Sequence, residues 1–170
     1  MKLFTKDLIL RTVTAADIDE IIRMWKHPNT ISGAEALQVL ERMERNHSKN
    51  RSKAIYHLCL GVFRKDAPEK LIGWCGLDGR ASAKETVLFY IIAKEYRCRG
   101  YATQCVAELL RYAFEDMQYD IIYSGCAKEN IPSFRVMEKA GMRHNVVYDD
   151  GGLGFFMDKD MFLKTKHAKG

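Results

Sequence analysis

Hydrophobic and polar positions repeat with two different periods along this chain, and these periods predict strands and helices. Short apolar or alternating runs predict strands at residues 8–13, 54–63, 71–77, 86–93, 120–126, 142–148 and 155–163. Apolar residues three and four apart predict helices that begin near Thr14, Ser32, Ala102 and Ile131. The predicted order of elements is therefore βααβββαβαββ.

The strand at residues 86–93 indicates how the sheet is built. The run from Val87 to Ala93 is apolar without alternation, which is typical of a central strand buried on both faces. A helix and another strand follow, so these two strands should be parallel with a right-handed crossover. We predict an α/β (α+β) fold with one mixed sheet and helices on both faces. Residues 1–170 should form a single domain, in which residues 164–170 are a frayed basic tail.

Composition narrows the class of protein. The 170 residues are 47% hydrophobic and 29% charged, which predicts a globular chain rather than a disordered one. No apolar run approaches the ~20 residues of a membrane span, and the first six residues lack the apolar core of a signal peptide. We therefore expect a cytoplasmic protein with no membrane partner. The five cysteines form no C-x-x-C pair, so neither a disulfide framework nor a metal site is indicated.

The net charge of +5 leaves a nucleic-acid or ribosome-associated function open. Lys and Arg are in modest excess at residues 42–53 and 164–169. No interleaving of basic and aromatic residues supports binding to RNA, so a solvated surface is the simpler interpretation. An RNA-binding protein would show steeply salt-dependent affinity.

The segment from Arg97 to Ala102 has the features of a phosphate-binding turn. It connects the predicted central strand to a predicted helix, and Gly100 permits a tight turn and a close approach of backbone to ligand. The helix start presents unpaired N–H groups and a partial positive charge, and Arg97 and Arg99 flank the glycine. The glycine patterns of the Walker and dinucleotide sites are both absent, so this is a phosphate site of another kind.

Two motifs in this chain are similar to those of one family. Arg97 to Ala102 match the pattern Q/R-x-x-G-x-G/A, and a second pattern, N-x-x-S-x-x-x-x-E-K-x-G-F, is matched at Asn130, Ser133, Glu138, Lys139 and Gly141, with Met142 for the Phe. Both belong to the GNAT superfamily of acetyl-CoA-dependent N-acetyltransferases, which the chain resembles over nearly its whole length. Its opening stretch, residues 8–30, is similar to the RimJ/RimL-like branch, named for ribosomal-protein alanine acetyltransferases.

The resemblance implies that acetyl-CoA is the cosubstrate. Backbone N–H groups from about Cys98 to Thr103 would hold its pyrophosphate, and the pantetheine arm would lie where the central strand splays from the next parallel strand, paired with backbone at Ile91 and Ala93. The implied cofactor-binding residues are Ile91, Ile92, Ala93, Arg97, Cys98, Arg99, Gly100, Tyr101, Ala102, Thr103, Asn130 and Arg135. Asn130 is also well placed to cap the helix that follows it. A Cys98 thiolate beside two arginines could form a mixed disulfide with oxidised CoA.

The resemblance also implies direct attack of a neutral amine on the thioester, with a backbone N–H near Ile91 or Ile92 stabilising the oxyanion. The chain departs from better-known members, because Val87 stands where many have Glu and Met137 where many have Tyr. The remaining candidate acids and bases are Ser133, Tyr90, Glu85 and Tyr123. In the RimL-like branch the serine is the proposed donor to the departing thiolate. Glu85 also fits a solvated edge residue, and the tyrosines fit the wall of a groove.

The acceptor is an amine of a peptide N-terminus or a small molecule, and the resemblance implies which segments meet it. Trp25, His27 and the Asp149 and Asp150 loop would face this substrate, although aspartates are also common in a plain hairpin turn. The final strands often pair subunits in such folds, so a homodimer is possible. A CoA-binding module without efficient catalysis stays open, since Val87 and Met137 replace the usual acid and base.

Overall fold

One mixed sheet of eight strands runs through the computed structural model, which describes residues 1–24, 31–82 and 85–167. The strands are β1 (Lys2–Phe4), β2 (Leu8–Arg11), β3 (His57–Arg64), β4 (Ala67–Ser82), β5 (Glu85–Ile92), β6 (Ile121–Cys126), β7 (Arg143–Val147) and β8 (Leu153–Asp158). The helices are α1 (Ile18–Met24), α2 (Gly33–His47), α3 (Tyr101–Arg111), α4 (Ile131–Ala140) and α5 (Lys159–His167). Within these ranges no helix combines the length and the apolar character that a membrane crossing needs.

The strands lie in the order β1-β2-β3-β4-β5-β6-β8-β7. Strands β5 and β6 are parallel, whereas the other neighbouring pairs are antiparallel. Two apolar clusters cover opposite faces of the sheet. Helices α1 and α2 bury residues such as Ile21, Phe63 and Leu71 on one face. Helices α3 and α4 bury residues such as Leu88 and Leu109 on the other, so the predicted mixed sheet with helices on both faces is confirmed.

The predicted order of elements is confirmed with one additional element at each end. Strand β1 precedes the predicted first strand and pairs with it. The strand predicted at residues 155–163 is wrong in its second half, because β8 ends at Asp158. The carboxylate of Asp158 accepts the N–H of Met161 at 2.8 Å and so caps α5. Of the frayed tail predicted at residues 164–170, residues 164–167 instead continue this helix, and residues 168–170 lie outside the described residues.

The parallel strands β5 and β6 splay apart soon after they pair. Val87 and Tyr123 are the one pair in register between them among the described residues. One residue further, the Ser124 hydroxyl donates to the Leu88 carbonyl at 2.9 Å, where a regular ladder would use a backbone N–H. We call this branch point, at residues 87–88 and 123–124, the fork, and the space beyond it the gap. The predicted splayed central pair is thus present.

Candidate active site

The turn of residues 97–100 joins β5 to α3 at the open end of the gap and contains two residues with left-handed backbone. Cys98 has a φ of 60° and Gly100 a φ of 77°. A β-carbon on Gly100 would meet no described atom within 4 Å, so the space above the turn is open. Tyr96 is buried beneath the turn, and Arg97 Nε donates to the Ile92 carbonyl at 3.0 Å. The turn is therefore held by contacts on the side of Tyr96, and its opposite side is open.

The start of α3 differs from the starts of α2 and α4. Ser32 and Glu35 form a capping box at the start of α2, and the Asn130 carboxamide caps α4. Within the part of the chain that the structure describes, no side chain caps α3, and its first turn carries no acidic residue. The first N–H groups of α3, at Tyr101 and the two residues after it, and the positive end of its dipole are thus left for an anion.

Basic side chains from separate segments surround this turn. The Arg99 guanidinium and the Lys70 ammonium each lie 5.8 Å from the centre of the Tyr96 ring. Arg64, at the end of β3, lies near Tyr96 and Tyr101 and forms an ion pair with Asp66. Sequence reasoning did not find Lys70 and Arg64, because strand pairing rather than a local motif brings them to the turn. Their charge adds to that of the helix start.

The backbone that faces the gap belongs to Tyr90 and Ile92, which corrects the predicted contact at Ile91 and Ala93. The Ala93 N–H donates to the Ile72 carbonyl of β4 at 2.9 Å. Since the N–H and C=O groups of successive strand residues point to opposite sides, those of Ile91 are turned towards β4 as well. An extended ligand in the gap would therefore meet the backbone of Tyr90 and Ile92, while the Ile91 side chain is 59% exposed.

Tyr90 and Ser133 meet at the gap, as two of the candidate catalytic side chains. The Tyr90 hydroxyl is buried and has no hydrogen bond of good geometry with the described residues. Burial raises the pKa of Tyr90, the neighbouring Ser133 hydroxyl opposes this effect, and the nearby Cys126 thiol adds to it. A neutral phenol and a hydroxyl thus stand side by side, and both can donate a proton.

Asn130 and Arg135 both lie on the α4 side of the gap. Asn130 Oδ1 accepts the Ser133 N–H at 3.2 Å, so the capping role is present and its amide nitrogen is left to donate elsewhere. Arg135 is exposed and lies 3.4 Å from the Glu138 carboxylate, an ion pair within one helix turn. The structure shows this solvated pair for Arg135, whereas Asn130 sits beside the candidate catalytic serine.

Glu85 is not brought to Tyr90 and Ser133. It is exposed at the amino end of β5, and the five residue steps from Glu85 to Tyr90 along the strand span roughly 17 Å. Val87 and Met137, which stand where the family resemblance implies an acid or a base, are apolar residues in apolar or strand-paired positions. Met137 is buried in the core, and Val87 lies at the fork beside Asp78 of β4.

The loop between β7 and β8 borders a cavity of about 330 Å³ at the carboxyl end of β6. Asp149 and Asp150 are exposed there, and Asp150 Oδ1 accepts the Gly152 N–H at 2.9 Å, as expected of a turn aspartate. Asp150, Glu129 and Tyr148 line the cavity, and sequence reasoning missed the last two. Trp25 and His27, the other predicted substrate residues, lie outside the described residues.

Comparison with known proteins adds relatives that carry acetyltransferase names. The uncharacterized N-acetyltransferase YnaD of Bacillus subtilis is 41% identical over 54 residues, and the match spans 32% of each chain. The uncharacterized N-acetyltransferase p20 of Bacillus licheniformis is 22% identical over 183 aligned positions and 98% of each chain. The chain thus spans about a third of the first relative and nearly all of the second.

A solved structure shows the same fold. RimL, the ribosomal L7/L12 alpha-N-protein acetyltransferase in complex with coenzyme A, superposes with a TM-score of 0.74. The two chains are 12% identical, and the match covers 95% of this chain and 99% of RimL. The family model of the acetyltransferase (GNAT) domain matches residues 7–143, which is most of the chain and includes both motifs, the turn and the fork. The chain belongs to the GNAT acetyltransferase family, whose members use acetyl-CoA.

Proposed function

We propose that this protein is an N-acetyltransferase that moves the acetyl group of acetyl-CoA to a primary amine. The observation that carries the proposal is the uncapped start of α3, which faces open space behind two arginines at the mouth of the gap. A pyrophosphate supplies the negative charge that this helix start lacks. Membership of the GNAT family agrees with this assignment.

The proposed cofactor site runs from the turn to the fork. The N–H groups of residues 98–103 bind the pyrophosphate, and Arg97 and Arg99 add positive charge. The pantetheine arm lies in the gap along Tyr90 and Ile92, takes the place of the missing neighbouring strand, and pairs with the Tyr90 backbone and the Ile92 N–H. The Asn130 amide nitrogen donates to the same arm from the α4 side. The thioester then lies near the fork, because the gap closes there.

The proposed reaction is a direct attack of the neutral amine on the thioester carbonyl. A backbone N–H that faces the gap, at Tyr90 or Ile92, stabilises the oxyanion. When the carbon–sulfur bond breaks, its electron pair stays on the sulfur, and Tyr90 with Ser133 returns a proton to the thiolate. A buried phenol suits this role, because its raised pKa keeps it protonated until the thiolate forms.

The acceptor is an amine of a peptide N-terminus or a small molecule. The cavity at the carboxyl end of β6 is lined by two acidic residues, Glu129 and Asp150, by one basic residue, Lys128, and by Tyr148. This lining suits a cationic amine that carries an apolar neighbour. RimL, which shares the fold, carries the name of an enzyme that acts on a protein α-amine, so a peptide N-terminus is the first acceptor to test.

A nucleic-acid function gains no support from the charge distribution. Arg45 lies 3.6 Å from Glu41 within α2, and Lys166 of α5 binds the Glu115 carboxylate at 2.5 Å. These pairs offset part of the positive charge at both of the basic segments. A CoA-binding module without catalysis would bind acetyl-CoA as the transferase does. Only a measurement of turnover distinguishes the two.

The experiment measures release of free CoA from acetyl-CoA in the presence of a peptide with a free N-terminal serine, a peptide with a free N-terminal alanine, or spermidine. We expect the wild type to acetylate at least one of them. Tyr90→Phe and Ser133→Ala should each lower kcat, together by about 10²-fold, and leave the KM for acetyl-CoA within about twofold, because both groups act on the leaving thiolate. Tyr56→Phe removes an exposed hydroxyl and serves as the control.

Binding of acetyl-CoA without turnover of any of these amines would favour the module over the transferase. An active wild type whose kcat is unchanged in both variants would remove Tyr90 and Ser133 from the reaction while the function stands.

A further inference from the structure

A row of side chains crosses the sheet at the fork on the face covered by α1 and α2. The strand registers place His57 of β3, Asp78 of β4, Val87 of β5 and Tyr123 of β6 directly beside one another. Partners in register project from the same face of a sheet. The apolar Val87 thus has an ionisable pair as its neighbours on the β4 side.

His57 and Asp78 are held in place by their neighbours. His57 Nδ1 is buried, makes no hydrogen bond with the described residues, and lies 3.6 Å from Asp78 Oδ1, at the distance of an ion pair. Arg80 binds both oxygens of the Asp78 carboxylate, at 2.9 and 2.6 Å, and lowers the pKa of Asp78 to about 2. The Asn50 carboxamide accepts the backbone N–H of His57 at 3.1 Å and donates to the backbone carbonyl of His57 at 3.2 Å. A fixed carboxylate on this side favours the tautomer that carries its proton on Nδ1 and leaves Nε2 as an acceptor.

The His57 ring reaches across β4 to the Phe89 side chain of β5, and Gly76 of β4 leaves room for that side chain. The rings of His57 and Phe89 are stacked with centroids 5.8 Å apart and an angle of 9° between their planes. In the strand registers Gly76 stands between Cys59 and Phe89, two residues along β4 from Asp78, the partner of His57. A β-carbon on Gly76 would lie 2.8 Å from Phe89 Cζ and 1.8 Å from the Leu58 carbonyl oxygen. Since Phe89 belongs to β5, the stack brings the imidazole next to the strand that borders the gap.

Burial and the neighbouring arginines favour the neutral form of His57. Burial lowers the pKa of His57, Arg80 and Arg42 lower it further, and Asp78 raises it. His47 of α2 also faces this ring, and its pKa is lowered by burial and by His57. His47 Nε2 accepts the Cys59 N–H at 3.0 Å, so this second histidine has a structural partner.

We propose that His57 is the base that takes a proton from the acceptor amine, and that Asp78 is the residue that positions it. This inference rests on the proposed acetyltransferase function and supplies the base that Val87 cannot. The acceptor enters as an ammonium ion and gives one proton to His57 Nε2 through a water molecule, and His57 releases that proton to solvent. The nitrogen lone pair forms the new bond to the carbonyl carbon. As the carbon–sulfur bond breaks, Tyr90 with Ser133 gives a proton to the departing sulfur. The second proton of the nitrogen passes through water to the Tyr90 phenolate, so that one proton per turnover reaches the solvent.

The test compares wild type with His57→Gln, with the exposed histidine variant His144→Gln as matched control. The readout is kcat as a function of pH with the best acceptor among the N-terminal serine peptide, the N-terminal alanine peptide and spermidine, and with water as acceptor if none is used. We expect His57→Gln to lower kcat about 10²-fold. Only neutral His57 accepts a proton, so the wild-type kcat should fall at acidic pH, below the usual histidine pKa of about 6.5. This acidic limb of the pH profile should be absent from His57→Gln. The Kd for acetyl-CoA and the Tm should stay near those of wild type.

Two further variants separate a catalytic role from a structural one. Asp78→Asn removes the charge that raises the pKa of His57, so the acidic limb should move to lower pH. Imidazole added to His57→Ala should restore part of the lost rate, which a purely structural histidine would not allow. If the wild type is active and His57→Gln retains both its rate and its acidic limb, the assignment of His57 is wrong and the transferase stands. A wild type that does not bind acetyl-CoA overturns the proposed function, and the base with it.

Discussion

At the scale of single residues, several side chains combine a structural contact with a proposed contact to ligand. Asn130 is the clearest case. Its Oδ1 caps α4 by accepting the Ser133 N–H. In our proposal its amide nitrogen donates a hydrogen bond to pantetheine. Loss of the cap costs about 1 kcal/mol of stability, and loss of a ligand hydrogen bond costs a similar amount of affinity. A substitution can separate these two roles because they use different atoms.

We predict that Asn130→Asp keeps the stability of the protein and weakens acetyl-CoA binding about tenfold. The aspartate still accepts the Ser133 N–H and suits the positive helix start, but it cannot donate to the ligand. Thermal unfolding and calorimetric titration measure the two effects. Asn145→Asp, an exposed site on β7, controls for the added charge. Equal affinity for both variants would show that Asn130 serves as a cap alone.

Single residues also show what could be found from the sequence. Gly100, Ser133 and Tyr90 were identified from local patterns and a family resemblance, and the structure brings the last two together. Lys70 and His57 were missed, because their places beside the turn and the fork depend on the register of strands distant in sequence. The predicted backbone contacts at Ile91 and Ala93 were displaced by one residue, since strand phase is set by pairing with β4.

At the scale of elements, the start of α3 is fixed by contacts from outside the helix. Gln104 Oε1 accepts the Thr5 hydroxyl at 2.7 Å and the Asp7 N–H at 3.0 Å, and Gln104 Nε2 donates to the Asp7 carboxylate at 2.7 Å. The segment between β1 and β2 is thereby tied to the first turn of α3. A helix without a cap of its own keeps its position through this tie, and its first N–H groups stay free for ligand.

Gln104→Leu should lower the free energy of unfolding by about 1–3 kcal/mol, because Asp7 and Thr5 lose their partner. It should also weaken acetyl-CoA binding, since the helix start is no longer held. Urea unfolding and calorimetry measure these changes. The matched control is Gln38→Leu, on the exposed face of α2, which we expect to leave both quantities unchanged. Affinity equal to wild type in Gln104→Leu would disprove a positioning role for this tie.

The boundary between β8 and α5 shows why the ends of helices and strands are difficult to predict from sequence. Only three charged residues separate the apolar residues of β8 from those of α5, so the sequence predicts one strand over residues 155–163. Two contacts stabilise a helix here instead. Asp158 caps the helix, and Phe162 stacks on Phe114 with ring centroids 5.0 Å apart. Phe114 lies in the π-helical turn Tyr112–Asp116 that follows α3. The contact between these distant segments has no signal in the local period.

At the scale of the whole molecule, the fork divides one sheet into two parts. Strands β1 to β5 form one part, and β6, β8 and β7 form the other. The parts share the pair Val87 and Tyr123 and the Ser124 bond to Leu88. The parallel crossover could be predicted from the order of elements, and the splay followed from the family resemblance. The gap is a consequence of this division, and every proposed contact to acetyl-CoA lies along it.

The central claim is that acetyl-CoA binds with its pyrophosphate at the start of α3, and calorimetric titration of wild type and Gly100→Asp tests it most directly. The aspartate would place a carboxylate at the anion site, whereas Gly151→Asp carries the same kind of backbone strain and charge at a hairpin turn where φ is 82° and the space is also open. We predict binding by wild type and Gly151→Asp and no measurable binding by Gly100→Asp. Undiminished binding by Gly100→Asp, or no binding by the wild type, would contradict the account.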